Sequence, residues 1–401
     1  MERIIEGSVT SPRGFRAGAA RAGIKAGGAD LLDLGLLSAD QASAAAGVFT
    51  TNKVKAAPVM LCQERLSRSR PRAVIVNSGC ANACTGEKGM ADAQEMAALA
   101  AGRLGVEAEE VLVASTGVIG VPLPMGLLRS AIGKVALSSE AGHDFARAIM
   151  TTDTFPKETA LAFDVGGAKV TVGAAAKGAG MIHPKMATLL CFVTTDAVID
   201  SELATSMLRQ AVDVSFNMIS VDGDTSTNDS VLLLASGLAG NKPLEANTKE
   251  AEIFQSALVD ICTYLAKCVA RDGEGATRMI EVKLEGAVSD AEARLAARAV
   301  VRSPLVKTAI HGADPNWGRI VAALGASGAN VDQSRIDLSL GELVIVKAGL
   351  PVNFDKGAAR AVLGSSEVPL SIGLNLGSGT ATAWGCDLSE EYVTENSAYS
   401  T

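Results

Sequence analysis

Along this chain, short runs in which most positions are apolar or alternate with a period of two are interleaved with stretches where apolar residues recur every three or four positions. Residues 9–60 read as short strands and turns. RAVIVNSG, 72–79, is nearly continuous in Val, Ile and Ala and closes on a glycine turn, which predicts a buried strand. An Ala-rich helix is expected over about 88–104, and EEVLVASTG, 109–117, is the next strand and turn. Pro122 and Pro124 lead into a helical stretch through Val135, and a further helix is expected around 143–149. ALAFDVGG and AKVTVGAAA then form a predicted hairpin about Gly166-Gly167. A loop, KGAGMIHPKMA, runs at 177–187 into the strand TLLCFVTT. After a helical pattern at 200–212, VSFNMISVDGDTSTNDSVLLLASG reads as two strands joined by a polar loop, and a helix over 249–270 ends at Arg271-Asp272-Gly273. IEVKLEGA, 280–287, begins a more alternating segment, with helices at 289–302 and 315–323 and strands in 337–349 and 369–386. Strands on both sides of the helices, many of them in hairpins, predict an α+β layered fold. The boundary is expected near 280, giving a larger unit at 1–280 and a smaller one at 281–401.

Composition narrows the function more than the fold. A length of 401 residues allows two or three domains. With 48% hydrophobic residues, 41 glycines and only 3% aromatics, the core must be built from Ala, Val, Leu and Ile, with close backbone contacts at glycine. A formal charge of −8 argues against nucleic acid as a partner. The charged start MERIIEG does not read as a secretory signal, and no uncharged apolar run of about 18 residues offers a membrane span. The seven scattered cysteines fit reduced thiols, so a cytoplasmic location is expected. KGAG and GEGAT are glycine-rich, but neither a Walker A pattern nor a strand-GxGxxG-helix arrangement is present.

The candidate chemistry lies where the 177–187 loop meets its strand. Two glycines, Gly178 and Gly180, and His183-Pro184 deliver Ala187-Thr188 to the first position of an apolar strand. Cleavage of the Ala187–Thr188 bond by the Thr188 hydroxyl would free an α-amine beside that hydroxyl, the built-in base of the N-terminal threonine nucleophile. Cys191, within LLCFV, is expected to be a buried structural thiol. His183, His311 and Asp314 invite a metal reading, but no ligand spacing accompanies them, nor a second pair for Cys80 and Cys84. No metal is expected, and His183 is read as a loop residue.

The motifs VTSPRGF, FTTNKVKAAPV, VNSGCANACTG, ASTGVIG, TTDT, KGAGMIHPKMATLL, DGDTSTNDS, DGEGATR, KTAIHGADPNWGRI and ENSAYST occur in this order over nearly the whole chain. So read, the chain resembles the ornithine acetyltransferase family of arginine biosynthesis. The resemblance implies an αββα-type sandwich with Thr188 at the start of an inner strand, plus a smaller C-terminal αβ domain. It implies self-cleavage between Ala187 and Thr188, and acetyl transfer from N-acetylornithine to glutamate through an ester on Thr188. Thr116 and Gly117 would form the oxyanion hole, by hydroxyl and by backbone N–H, a role suited to a turn after a strand. Thr151, Lys177, Glu274, Asn396 and Thr401 would bind substrate, with Thr152 as an alternative to Thr151. Glu274, flanked by glycines, suits a substrate ammonium group. The C-terminal tail would thus return to the site. Two α and two β subunits would form a heterotetramer, and no cofactor is implied. Whether acetyl-CoA also serves as a donor is open, as is its site. Two other readings compete: an N-terminal-nucleophile amidohydrolase or aminopeptidase, in which water is the acceptor, and an uncleaved binding protein retaining the fold.

Overall fold

The computed structural model describes residues 1–25, 31–41, 44–183 and 189–398. Its first part is built from two sheets packed face to face. One has four strands in the order Phe15–Ala20, Leu34–Ala39, Ala73–Cys80 and Val111–Val118. The other has six: Glu2–Arg3, Lys157–Val165, Ala168–Lys177, Leu190–Thr195, Ser230–Ala235 and Ala44–Phe49. Strand side chains alternate between faces. Val74, Val76, Leu112 and Leu37 therefore meet Leu190, Phe192, Leu232 and Leu234 between the sheets. Phe145 closes on Phe192 edge to face, ring centroids 5.2 Å apart.

The opposite faces carry helices. Leu34, Leu36, Ile75 and Val113 pack under the helices Ala57–Arg68, Gly86–Leu104 and Met125–Ile132. Cys191, Val193, Val231 and Leu233 pack under Ser201–Val214 and Lys249–Arg271. This gives helix, sheet, sheet, helix, and it explains why the central strands read as unbroken apolar runs: both of their faces are buried. Lys249–Arg271 is long and apolar enough by composition to cross a membrane, with a mean hydropathy of 1.4. It serves here as a core helix, with Phe254, Leu258, Ile261, Leu265 and Val269 buried.

A third sheet of seven strands runs Ile219–Ser220, Gly379–Cys386, Met279–Ala287, Glu367–Gly373, Asp337–Leu340, Leu343–Lys347 and Leu350–Pro351. Its residues share one continuous core with the helices over the six-stranded sheet. VSFNMIS and SVLLLAS contribute two strands joined by a polar loop, as expected, but to different sheets: Phe216–Met218 is a 3-10 turn, Ile219–Ser220 pairs in parallel with Trp384-Gly385 of the third sheet, and Ser230–Ala235 lies in the six-stranded one.

Candidate active site

Ala187, Thr188 and Thr401 lie outside the described residues, so the site is defined by what surrounds the chain where it resumes at Leu189. The strand Leu190–Thr195 is flanked on both sides. Lys177 stands opposite Leu190 in the antiparallel neighbour, and Ser230 stands opposite it in the parallel one. The Leu189 N–H donates to Asp229 Oδ1 at 3.1 Å. The step out of position 188 is therefore held between a lysine and an aspartate.

Lys177 is buried, not on the surface. Its Nζ donates to Thr151 Oγ1 at 2.6 Å and lies 3.8 Å from Asp153 Oδ2. Asp153 Oδ1 accepts from Lys157 Nζ at 2.6 Å and from the Gly178 N–H at 2.7 Å, and Oδ2 from the Thr151 N–H at 2.9 Å. Lys157 bridges onward to Asp272 Oδ2 at 2.5 Å, and Asp272 accepts from Thr154 N at 3.0 Å. Burial alone would raise the Asp153 carboxyl, but Lys177 and Lys157 outweigh it and bring its pKa down to about 2. The carboxylate is thus the form held in the fold, and it fastens both the 151–154 turn and the start of the glycine loop.

Glu274 is seated by its own backbone, whose N–H donates to Ala179 O at 2.9 Å. Its carboxylate lies directly over Gly180, where a Cβ would come within 2.3 Å of it, so a side chain there would displace the carboxylate. Oε1 accepts from Thr152 Oγ1 at 2.8 Å, and Oε2 from Asn396 Nδ2 at 2.9 Å. Adjacent threonines thus divide their contacts, Thr151 to Lys177 and Thr152 to Glu274. Asn396 sits on the helix Glu390–Ala398.

Thr116, buried, and Gly117 end the strand Val111–Val118. Gly117 has φ +130° and faces Gly79 where the strand pairing shifts register; a Cβ there would lie 2.3 Å from the Gly79 carbonyl carbon. Side chains tie this turn to the start of the central strand. Asn228 Nδ2 donates to Ser115 O at 2.8 Å and to Ala81 O at 2.6 Å, while Ser115 Oγ donates to Asn77 Oδ1 at 2.7 Å. Asn228 precedes Asp229, so one dipeptide of the DGDTSTNDS motif touches both the Thr116 strand and Leu189.

Other candidates stay apart from this arrangement. Burial, with Arg302 and Arg298 close by, lowers the His183 imidazole to about 4; it contacts Ser220 Oγ at 3.2 Å. His311 pairs with Asp387 at 2.8 Å. Among the described residues no group of three or more His, Cys, Asp or Glu is gathered as a metal would require. Cys191 is buried and burial pushes its thiol well above the ordinary range, which makes a nucleophilic thiolate unfavourable. Cys80 is buried and Cys84 exposed. The residues that sequence reasoning did not single out are Asp153, Lys157, Asp272, Asn228 and Asp229. The available signal was polar residues directly abutting apolar strands, as in NDSVLLLAS.

The ArgJ family model matches residues 16–401. The arginine biosynthesis bifunctional protein ArgJ of Symbiobacterium thermophilum is 55% identical over 399 residues, 99% of each chain. That of Dehalococcoides mccartyi is 52% identical over 396 residues, covering 99% of this chain and 98% of its own. The crystal structure of the Bacillus halodurans arginine biosynthesis bifunctional protein ArgJ is 48% identical with a TM-score of 0.51, over 52% of this chain and 98% of the solved one. A Mycobacterium tuberculosis ornithine acetyltransferase solved with ornithine is 44% identical with a TM-score of 0.43, over 46% of this chain and 98% of its own. With a family model spanning nearly all its length and full-length relatives at this identity, the chain belongs to the ArgJ family.

Proposed function

We propose that this ArgJ-family chain is a glutamate N-acetyltransferase of arginine biosynthesis that cleaves itself between Ala187 and Thr188. Thr188 Oγ attacks the acetyl carbonyl of N-acetylornithine while the Thr188 α-amine takes the hydroxyl proton. The tetrahedral oxyanion is held by the Thr116 hydroxyl and the Gly117 N–H. Collapse breaks the C–N bond, the α-ammonium returns its proton to the leaving amine, and ornithine departs. The glutamate amine then attacks the Thr188 ester in the reverse sense, releasing N-acetylglutamate and the free hydroxyl. Glu274 faces the substrate ammonium, Lys177 its carboxylate, and Thr151, Asn396 and Thr401 complete the binding set. Ping-pong kinetics follow from the covalent intermediate.

The observation that carries this reading is that Lys177, bonded to Thr151, stands opposite Leu190 in the strand that follows Thr188, while Glu274, bonded to Asn396, lies over Gly180 of the loop that leads to it. Further support comes from the Bacillus halodurans chain, which is about half as long as this one and matches it over nearly its whole length, as a cleaved piece would. The reading includes a division into 1–280 and 281–401, a cytoplasmic heterotetramer of two α and two β chains, and acetyl-CoA as a second, slower donor. Intact mass spectrometry should give two pieces of similar size, and Thr188→Ala should stay uncleaved and lose acetyl transfer to glutamate. Efficient cleavage in that variant, or hydrolysis of N-acetylornithine without transfer, would overturn the reading.

A further inference from the structure

The beginning of the chain brings a further lysine to the Thr151 side of the site. Asp33 is almost completely buried, and its carboxylate accepts from four successive backbone N–H groups, those of Ala22, Gly23, Ile24 and Lys25, at 2.5–3.2 Å. One buried carboxylate thus fixes the loop at 22–25, including Gly23 with φ +90°. Lys25 packs on Gly79, where a Cβ would lie 3.0 Å from the Lys25 Cγ, and Gly79 is the residue paired with Gly117. The half-buried Lys25 side chain then reaches Met150 O, to which Nζ donates at 2.9 Å. Met150 O belongs to the peptide that leads into Thr151, whose hydroxyl accepts from Lys177. Two ammonium groups therefore flank Thr151, one on the carbonyl before it and one on its side chain.

The two lysines differ in their counter-charge. Lys177 lies 3.8 Å from Asp153, whereas Lys25 has no carboxylate within ion-pair distance among the described residues. Asp33, the nearest acidic influence on it, is already engaged by the loop amides. Burial lowers the Lys25 pKa and the charge of Lys177 adds to this, against Asp33 and Asp153. An ammonium has three N–H donors, and Met150 O takes one of them. Lys25 is thus left with donors and a charge that an arriving carboxylate can use.

We infer that Lys25 selects the acceptor: it receives the side-chain carboxylate of glutamate, a group that the donor lacks. This rests on the proposed transfer from N-acetylornithine to glutamate and deepens it. The two amino acids carry opposite charges at the end of the side chain. N-acetylornithine has one carboxylate and a side-chain ammonium; glutamate has two carboxylates and attacks through a neutral amine. Lys177 serves the carboxylate that both share, and Glu274 serves the ammonium of the donor but repels the second carboxylate of the acceptor. Lys25 supplies the missing cation from the other side of Thr151, on a loop that Asp33 fixes in place. Hydrogen bonds between an ammonium and a carboxylate are among the stronger ones, so one such contact is enough to discriminate.

Lys25→Gln keeps an N–H donor for Met150 O and removes the charge. In the full-length, self-cleaved variant, KM for glutamate should rise about tenfold or more, the effect of one lost charge-assisted hydrogen bond. Acetyl-enzyme formation from N-acetylornithine, followed by ornithine release and by intact mass, should keep its KM within about twofold, because the donor does not use this group. The preference for glutamate over glutamine, taken as a ratio of kcat/KM, should fall about tenfold as well, and Lys25→Arg should recover it. Thermal melting checks the fold, and if Lys25→Gln does not fold, Lys25→Met carries the same expectation. A residue that only shaped Thr151 would raise KM for donor and acceptor alike and leave the acceptor preference unchanged. Either that result or a wild-type KM for glutamate, with acetyl-enzyme forming normally in the wild type, would overturn this inference alone. Absence of an acetyl-enzyme in the wild type would instead remove the reading beneath it.

Discussion

The two sides of the chain at Leu189 handle buried charge in opposite ways. On one side, Lys177, Asp153, Lys157 and Asp272 bring two ammonium groups and two carboxylates together at side-chain exposures of 0–4%. Each has an opposite charge beside it. On the other side, Asp229 is just as buried, but its neighbours are the Leu189 N–H and the Ser226 and Thr50 hydroxyls, with Lys177 acting at a distance. A balanced cluster of mutual hydrogen bonds serves as a frame: it holds Lys177 beside Thr151 and Asp153 and pins Gly178. Burial raises the pKa of the Asp229 carboxyl, so its charge depends on what stands beside it. The first arrangement suits holding a substrate, and the second suits chemistry.

The sharpest way to break the comparison is to unbalance the frame. Lys157→Met removes the cation shared by Asp153 and Asp272 and leaves two carboxylates buried near each other. Breaking a buried pair in this way is expected to cost about 3–5 kcal/mol. Denaturant unfolding measures it, and Lys157→Met with Asp272→Asn should recover part of the loss. A single variant as stable as wild type would show that the cluster is not a frame.

The same contrast explains what could be read from the sequence. LLCFV and RAVIVNSG announce themselves because strands covered on both faces need apolar residues at every position. Lys157 and Asp272 do not: a charged residue on its own reads as surface, and only the fold brings them within 2.5 Å. Lys177, Thr116 and Glu274 were raised to site residues by the family resemblance and not by any local pattern. The stretch holding Ile219–Ser220 reads as a strand, but its partner lies more than 150 positions away, a pairing for which local alternation carries no information. The helix Glu390–Ala398 was read as a tail because it has no clear apolar stripe, with charged and polar residues over most of its surface.

A gentler perturbation of the frame is acid. The Asp153 carboxyl has a pKa of about 2 in the fold, against an ordinary value of 3.8. A carboxylate lowered by folding contributes stability that is complete above the unfolded value and is lost as pH falls through the folded one. The window is therefore between about pH 4 and pH 2, and the contribution is about 2 kcal/mol. Urea midpoints measured from pH 5 downward should show that loss, and Asp153→Asn should flatten it. An identical acid limb in the variant would mean that another group sets it.

The smallest expected effect tests the edge of the substrate side. Asn396 donates to Glu274 Oε2 at 2.9 Å and to Tyr392 O at 3.0 Å from an exposed helix, so its removal costs the core nothing. Exposed hydrogen bonds of this kind contribute about 1 kcal/mol or less to stability. Their value is in orientation: with one oxygen held by Thr152 and the other by Asn396, the Glu274 carboxylate has a fixed plane to present to a cation. Asn396→Ala frees one of these restraints and leaves the Leu189 contacts untouched. Self-cleavage and melting temperature should match wild type, while KM for N-acetylornithine rises about three- to tenfold, the effect of one hydrogen bond. If cleavage slows in Asn396→Ala while KM stays constant, then Glu274 belongs with Asp229 on the chemical side, and the division between a holding wall and a reacting one is drawn in the wrong place.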